Sequence, residues 1–294
     1  MRITNQLQYA STERALKSAL ERLASAQGKV VTGRRFEAPS DDPTSAGHAL
    51  SLREQISRHD QWARNLREAK LFLSSSEVAL GEINEIVRKV REDAVRGAND
   101  TLGSAERDAI GQQVGQAMAS IVQLANQRVD DERYLFSGHM TSTKPFEVNG
   151  DQLVYNGDDN SLTAKVGDDR HLPMSLPGSF LTGLYAALVQ VKQDLETSNL
   201  TRLGQEDIQA LQNQMEAISR LRGDLGARLQ ETDRFRLQYE AQTEHLSELL
   251  ASKEEIDLPT AIYEMKRAET SYQAALQVAA NAHSMSLFDF LRGG

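Results

Sequence analysis

The chain has 294 residues and a formal charge of −9, with 39% hydrophobic but only 5% aromatic residues and no cysteine. This acidic balance opposes nucleic-acid binding, which needs a basic patch to neutralise phosphates, and the missing thiols exclude disulfide frameworks, cysteine-bound zinc and cysteine nucleophiles. No stretch approaches the roughly 18 consecutive apolar residues of a membrane span, and the first thirty residues lack a signal-peptide core, so neither membrane insertion nor classical secretion is expected.

The first segment, Met1 to about Val31, carries Leu16, Leu20, Leu23 and Val30 at alternating steps of four and three, with Gln27 in the seam. That is a narrow heptad stripe on a helix. Thr32-Gly33 ends it, and Ala38-Pro39-Ser40-Asp41-Asp42-Pro43 reads as a loop, because the residue before each proline is pushed out of helical geometry. Asp42 is expected to cap the next helix and Pro43 to open it.

That helix runs to about Gly97 on Leu52, Ile56, Ala63, Leu66, Leu73, Leu80, Val87, Val90 and Ala94, interrupted by the polar residues His59, Lys70, Glu77 and Asn84. A helix of this length spans ~70 Å. Residues 97–103 read as a turn. Ser104 is expected as N-cap of a third helix bearing Ile110, Val114, Ala117, Ile121 and Leu124, which makes an antiparallel hairpin with the second.

After Tyr134-Leu135-Phe136-Ser137-Gly138 the composition changes, with three of the six prolines and six of the nineteen glycines lying between residues 138 and 183. Runs of strand type at 146–148, 153–155 and 162–166 are separated by the turn dipeptides Asn149-Gly150, Asn156-Gly157 and Gly167-Asp168, which predicts a small antiparallel β insert. Helix resumes near Ser179. A long run from about Glu206 to Ser252 has Ile208, Leu211, Met215, Ile218, Leu225, Leu229, Tyr239, Leu246 and Leu250 in its seam, with Arg222, Thr232, Arg236 and Thr243 filling the other seam positions. Asp257-Leu258-Pro259 breaks it. The last helix, Thr260 to about Leu291, repeats the heptad with Ile262, Met265, Tyr272, Leu276 and Ala279.

The predicted fold is mainly α: an elongated rod of long antiparallel helices, with coiled-coil pairing of the terminal helices and a small antiparallel β insert. The expected division is a terminal assembly domain (1–43 and 259–294), a helical rod (44–138 and 179–258) and the insert (139–178). A two-sevenths stripe cannot bury itself, so each end needs a partner. Small residues at Ala274, Ala275, Ala279, Ala280 and Ala282 suit close approach of neighbouring helices in a tube of copies.

Nothing in the sequence carries catalysis. The six histidines are scattered, and none lies three or four residues from another on one helical face. His245 and Glu248 share a face, a pair that reads as a surface or seam contact. Asn156-Gly157-Asp158-Asp159-Asn160 starts like a calcium loop but has Leu162 at a ligand position and no closing glutamate, so it reads as a hairpin turn. No phosphate-binding loop or nucleophile elbow is present, and no catalytic, metal or cofactor-binding residue is assigned. Trp62 and Tyr134 read as packing residues with a minority reading as partner anchors. Arg34 and Arg35 beside Asp41 and Asp42 read equally as pairs across the joint and as solvated loop charges.

Leu23-Ala24-Ser25-Ala26-Gln27, Thr32-Gly33-Arg34-Arg35, Ala38-Pro39-Ser40-Asp41-Asp42-Pro43 and Leu50-Ser51-Leu52-Arg53 resemble the amino-terminal signature of the flagellin superfamily. The two prolines about Ser40-Asp41-Asp42, the Tyr134–Gly138 exit and the ending Ser286-Leu287-Phe288-Asp289-Phe290-Leu291 are similar to its hook-filament junction branch, the hook-associated protein 3 family. The resemblance implies a structural adaptor without a cofactor, exported unfolded through the flagellar type III apparatus to the extracellular flagellum. Implied partners are further copies of itself, hook-associated protein 1, flagellin and a flagellar export chaperone. The assembly interface is expected at Leu16, Leu20, Leu23, Val30, Ile262, Met265, Tyr272, Leu276, Ala279, Leu287 and Phe290, and the family's signature loop at Gly33, Arg34, Pro39, Ser40, Asp41, Asp42 and Pro43. A short filament-forming flagellin and an intracellular coiled-coil scaffold are the alternative readings.

Overall fold

The computed structural model of the chain describes the backbone of residues 2–36 and 38–292 and the side chains of residues 10–36 and 38–281. Long helices dominate: α1 (Arg2–Thr32), α2 (Pro43–Gly97), α3 (Ser104–Ala125), α4 (Phe180–Glu196), the single turn α5 (Leu200–Arg202), α6 (Ile208–Glu254) and α7 (Leu258–Arg292). Four short strands, β1 (Phe146–Asn149), β2 (Gln152–Tyr155), β3 (Thr163–Lys165) and β4 (His171–Pro173), lie between α3 and α4. The chain divides into two compact units, Met1–Arg58 with Gln242–Gly294, and His59–Ala241. Each has its own logic of packing.

The unit formed by His59–Ala241 holds one aliphatic core. Leu66, Leu73, Leu80 and Val87 of α2 recur at seven-residue steps and are fully buried, as are Leu211, Leu225 and, nearly, Ile218 of α6. Thr232 continues the α6 row where the sequence shows a polar interruption; it is buried, and its hydroxyl donates to the Arg228 carbonyl at 2.8 Å, which satisfies it within its own helix. Ile110, Val114 and Ile121 of α3 and Leu181, Leu184, Leu188 and Leu195 of α4 complete the core, with α3 packed on α4. Ser104 opens α3 but does not cap it. The N-cap position is Gly103, whose N–H donates to the Glu106 carboxylate at 2.6 Å.

The insert is simpler than one continuous sheet. β1 pairs antiparallel with β2, and β3 with β4, as two separate two-stranded ladders. The first hairpin turn is Gly150-Asp151, one residue on from the expected Asn149-Gly150, because Asn149 pairs with Gln152 as the last residue of β1; Gly150 takes φ +60°. Asn156-Gly157 does not make a second one. After β2 the Tyr155 phenol folds back over Gly157, donating to the Asp158 carbonyl at 2.8 Å and accepting the Gly178 N–H at 3.1 Å. A Cβ at Gly157 would meet that hydroxyl at 2.5 Å, so the glycine is required by close approach. Asp158, once a candidate oxygen ligand, accepts the His139 N–H at 2.5 Å and the Asn160 amide at 3.0 Å, and these hydrogen bonds, Asn160 first, hold its carboxyl below the ordinary carboxylate range.

Tyr134, Leu135 and Phe136 are buried where the chain leaves α3, and Gly138 turns it with φ +69°. The Arg128 guanidinium lies 4.7 Å over the Tyr134 ring and donates to its hydroxyl at 2.8 Å. Within the monomer this aromatic is part of the packing.

Candidate assembly surface and its anchoring loop

In the unit made of the two chain ends, α1 packs along α7. On α1 the large or apolar residues turned from solvent include Leu16, Ala19, Leu23, Ala26 and Val30; on α7 they include Ala261, Met265, Ala268, Tyr272, Ala275 and Ala279. Both rows step by threes and fours, the signature of a coiled-coil seam. Ala19, Leu23 and Ala261 are buried and the others half-buried.

The seam differs by one residue at several places from the stripe expected from leucine spacing. Ala19 replaces Leu20, Ala26 replaces Gln27, Ala261 replaces Ile262 and Ala275 replaces Leu276. The physical reason is separation: alanines let two helix backbones approach closely, and the large neighbours are displaced onto the flank. Leu20, Ile262 and Leu276 are accordingly 49%, 47% and 42% exposed. Of the other expected interface residues, Leu16, Leu23, Val30, Met265, Tyr272 and Ala279 lie in the seam. The side chains of Leu287 and Phe290 lie outside the described residues.

The loop after α1 is tied to the end of α6. Gly33 takes φ +66°, the left-handed conformation that ends a helix, and its N–H donates to the Lys29 carbonyl at 2.9 Å. Its carbonyl accepts the Ile256 N–H at 3.1 Å, and the Arg35 N–H donates to the Glu254 carbonyl at 2.7 Å, making a short antiparallel bridge at Arg34 and Glu255. The Arg53 guanidinium of α2 sits 2.7 Å from the Glu254 carboxylate, whose side chain is only 10% exposed. This is the ion pair of the joint, and neither residue stands out in sequence: the only available hint is an acid at the end of a helix just before a Leu-Pro break.

Pro39 and Ser40 lie in a turn closed by Asp41, whose N–H donates to the Ala38 carbonyl and whose carboxylate accepts the Ala38 N–H, both at 3.0 Å. Asp42 caps α2 as expected, accepting the Ser45 N–H at 3.0 Å, and Pro43 occupies the first helical position, where no amide donor is needed. Hydrogen bonds from Ser45 hold the Asp42 carboxyl low, and the charge of Arg35 adds to them. The loop and helix ends enclose a small cleft lined by Arg34, Phe36, Pro39, Leu50 and Arg53 among others. Such a site offers shape and apolar surface, with no chemistry for catalysis. Among the described residues no group of three acids, histidines or cysteines is placed to hold a metal ion, and no helix is long and apolar enough to cross a membrane.

The model of the bacterial flagellin N-terminal helical region matches residues 3–141, and that of the C-terminal helical region matches residues 208–291. The chain belongs to the flagellin superfamily. All but the end residues Arg2 and Arg292 of the α1–α7 pair fall within the matched regions, as does the whole anchoring loop, so the paired helices are built from the part of the chain that defines this family of structural proteins.

Within the superfamily the chain is 22% identical over 98% of its length to the flagellar hook-associated protein 3 of Escherichia coli, 99% of which is covered. It is 26% identical over 61% of its length to the Salmonella typhimurium protein of the same name, but that match spans only 56% of the Salmonella protein. A flagellin from Halalkalibacterium halodurans also matches along 99% of the chain, at 22% identity. Among solved structures, the flagellar junction protein FlgL from Legionella pneumophila superposes with a TM-score of 0.58 at 14% identity, over 72% of this chain and all of that one, which shows a shared fold.

Proposed function

We propose that this flagellin-superfamily chain is the hook-filament junction protein of a bacterial flagellum, a structural adaptor that meets hook-associated protein 1 on one side and flagellin on the other. The observation that carries this reading is the end-to-end match to a hook-associated protein 3, together with an α1–α7 pair that leaves Leu20, Ile262 and Leu276 uncovered in the monomer. Large apolar side chains left at the flank of a coiled coil are the natural contacts for the next copy, each fully buried one contributing about 1.5–3 kcal/mol.

On this reading residues 1–43 and 259–294 form the assembly domain, residues 44–138 and 179–258 carry the helical core and residues 139–178 form a side domain. The anchoring loop from Gly33 to Pro43 fixes the ends to α2 and α6. Export proceeds through the flagellar type III apparatus, and a cytoplasmic chaperone covers the α7 flank before assembly.

The end-to-end match to a flagellin supports a second reading, a short filament-forming subunit. The two differ in where and how many copies sit. Immunogold labelling should give one band beside the hook; decoration of the whole filament would reject the junction reading for the flagellin one. Recovery from sheared flagella is expected in both cases, and retention in the cytoplasm of flagellated cells would exclude both in favour of an intracellular scaffold.

A further inference from the structure

The His59–Ala241 unit carries an aromatic cluster. His59, Trp62 and Tyr239 pack with ring centroids 5.2–5.3 Å apart and planes tilted by 32–44°. The Tyr239 hydroxyl is fixed by donating to the Val166 carbonyl, and the Asn65 amide donates to the Lys165 carbonyl at 2.6 Å, so the β3–β4 hairpin is docked rigidly against this cluster. Between them lies an open cleft of about 430 Å3 lined by Trp62, Gly167, Asp168, Asp169, Arg170 and Tyr239.

The chemistry of this cleft is specific. Its floor is aromatic, and its rim is the exposed run Asp168-Asp169-Arg170, which supplies acceptors and donors side by side. The Arg170 guanidinium is held 4.6 Å over the Phe235 ring and so is presented in a fixed place. Gly167 brings backbone close to the floor without a side chain in the way. A flat ring with apolar C–H groups on one face and hydroxyls at its edge matches all of these features: the face stacks on indole, while carboxylates and guanidinium bind vicinal hydroxyls. A cation cage would instead need aromatic faces surrounding the opening, whereas here the rings pack on one another and a fixed cation stands on the rim.

We propose that the cleft floored by Trp62 and Tyr239 and rimmed by Asp168, Asp169 and Arg170 is a binding site for a saccharide ring. Its lining residues all belong to the His59–Ala241 unit.

Trp62 is the sole tryptophan, so its emission reports on the floor directly. The full-length protein would be titrated with cellotriose, chitotriose and N-acetyllactosamine, and with tetramethylammonium chloride as a cation probe, while saturation-transfer NMR is read on the ligand. At least one saccharide should show saturation transfer and a saturable change in Trp62 emission. Trp62→Leu should abolish the transfer. Because that change could disturb packing, the doubly substituted Asp168→Asn/Asp169→Asn chain, altered only at exposed positions, should keep its circular dichroism and bind about tenfold more weakly. Absence of transfer from all three saccharides, transfer undiminished in the double variant, or a response to tetramethylammonium alone would each overturn the proposal.

Discussion

Arg222 of α6 directs two guanidinium N–H groups at one carboxylate oxygen of Glu77 of α2, at 3.1 Å from Nε and 2.5 Å from Nη2. Both residues stand where heptad periodicity calls for an apolar side chain, and Lys70, another polar interruption of the α2 pattern, donates to both carboxylate oxygens of Asp233 of α6, at 2.7 and 3.0 Å. Polar pairs of this kind select one register of α2 against α6 in a way that leucines cannot.

The Glu77 and Arg222 side chains are each about one-third exposed, at 32% and 37%, so solvent screens the pair and its direct contribution is small. Glu77→Leu should cost about 0.5–1 kcal/mol, and Glu77→Leu/Arg222→Leu should recover most of it, because the second change removes a guanidinium left without its acid. Urea denaturation of the two variants checks the sign of the difference.

A second prediction concerns pH. Asp207 lies in a π-helical stretch, Leu203–Asp207, that joins α5 to α6, and is 3% exposed against Asp194 of α4. Asp194 is already held by Gln190 at 3.2 Å, Asn199 at 3.3 Å and Arg202 at 3.5 Å. Burial first, and then hydrogen bonding and charge from Asp194, push the Asp207 carboxyl up to about 7 from 3.8, with Arg202 opposing and Glu206 adding to the shift. The folded state therefore retains a proton that the unfolded state loses as pH rises above about 4. The stability this group contributes is fully present below pH 3.8 and is lost as pH rises to about 7. Asp207→Asn, which mimics the protonated form, should flatten the decline in unfolding free energy between pH 5 and pH 8; an unchanged pH slope would remove Asp207 as its source.

The anchoring loop gives a third prediction. Gly33→Ala forces a side chain into the left-handed conformation, at a cost of about 1–2 kcal/mol, although no neighbour lies within 4 Å of the added carbon. Glu254→Ala leaves Arg53 free to hydrate. Both changes should speed hydrogen exchange at the Arg35 and Ile256 amides while leaving the Leu66–Val87 core of α2 protected. Loss of protection throughout α2 would mean that the loop and the core unfold together.

The helices were legible because their signals are local. Proline at position 43 with Asp42 before it, the left-handed glycine after Thr32 and Pro259 in the first turn of α7, just after the break at 255–257, all act within a turn of where they stand. The seam of the terminal helices was only half legible. Ala19 and Leu20, or Ala275 and Leu276, occupy adjacent angles, and a hydrophobic pattern weights leucine over alanine, whereas close helix approach reverses that weighting. Sheet pairing was less legible still, because the fate of Asn156-Gly157 depends on Tyr155 folding back to residues 158 and 178. Neither the Asp194–Asp207 contact nor the Arg53–Glu254 pair has a spacing signal at all, since the partners meet through tertiary packing.

On the junction reading, Leu20, Ile262 and Leu276 serve contacts between copies and not the fold of the monomer. The most direct test is Leu20→Asp/Ile262→Asp/Leu276→Asp, with the purified chain followed by thermal melting and the same chain followed in sheared flagella. The expected result is a melting temperature close to that of the unsubstituted protein and disappearance of the chain from flagella. Normal incorporation into flagella, or a monomer that no longer folds, would contradict it.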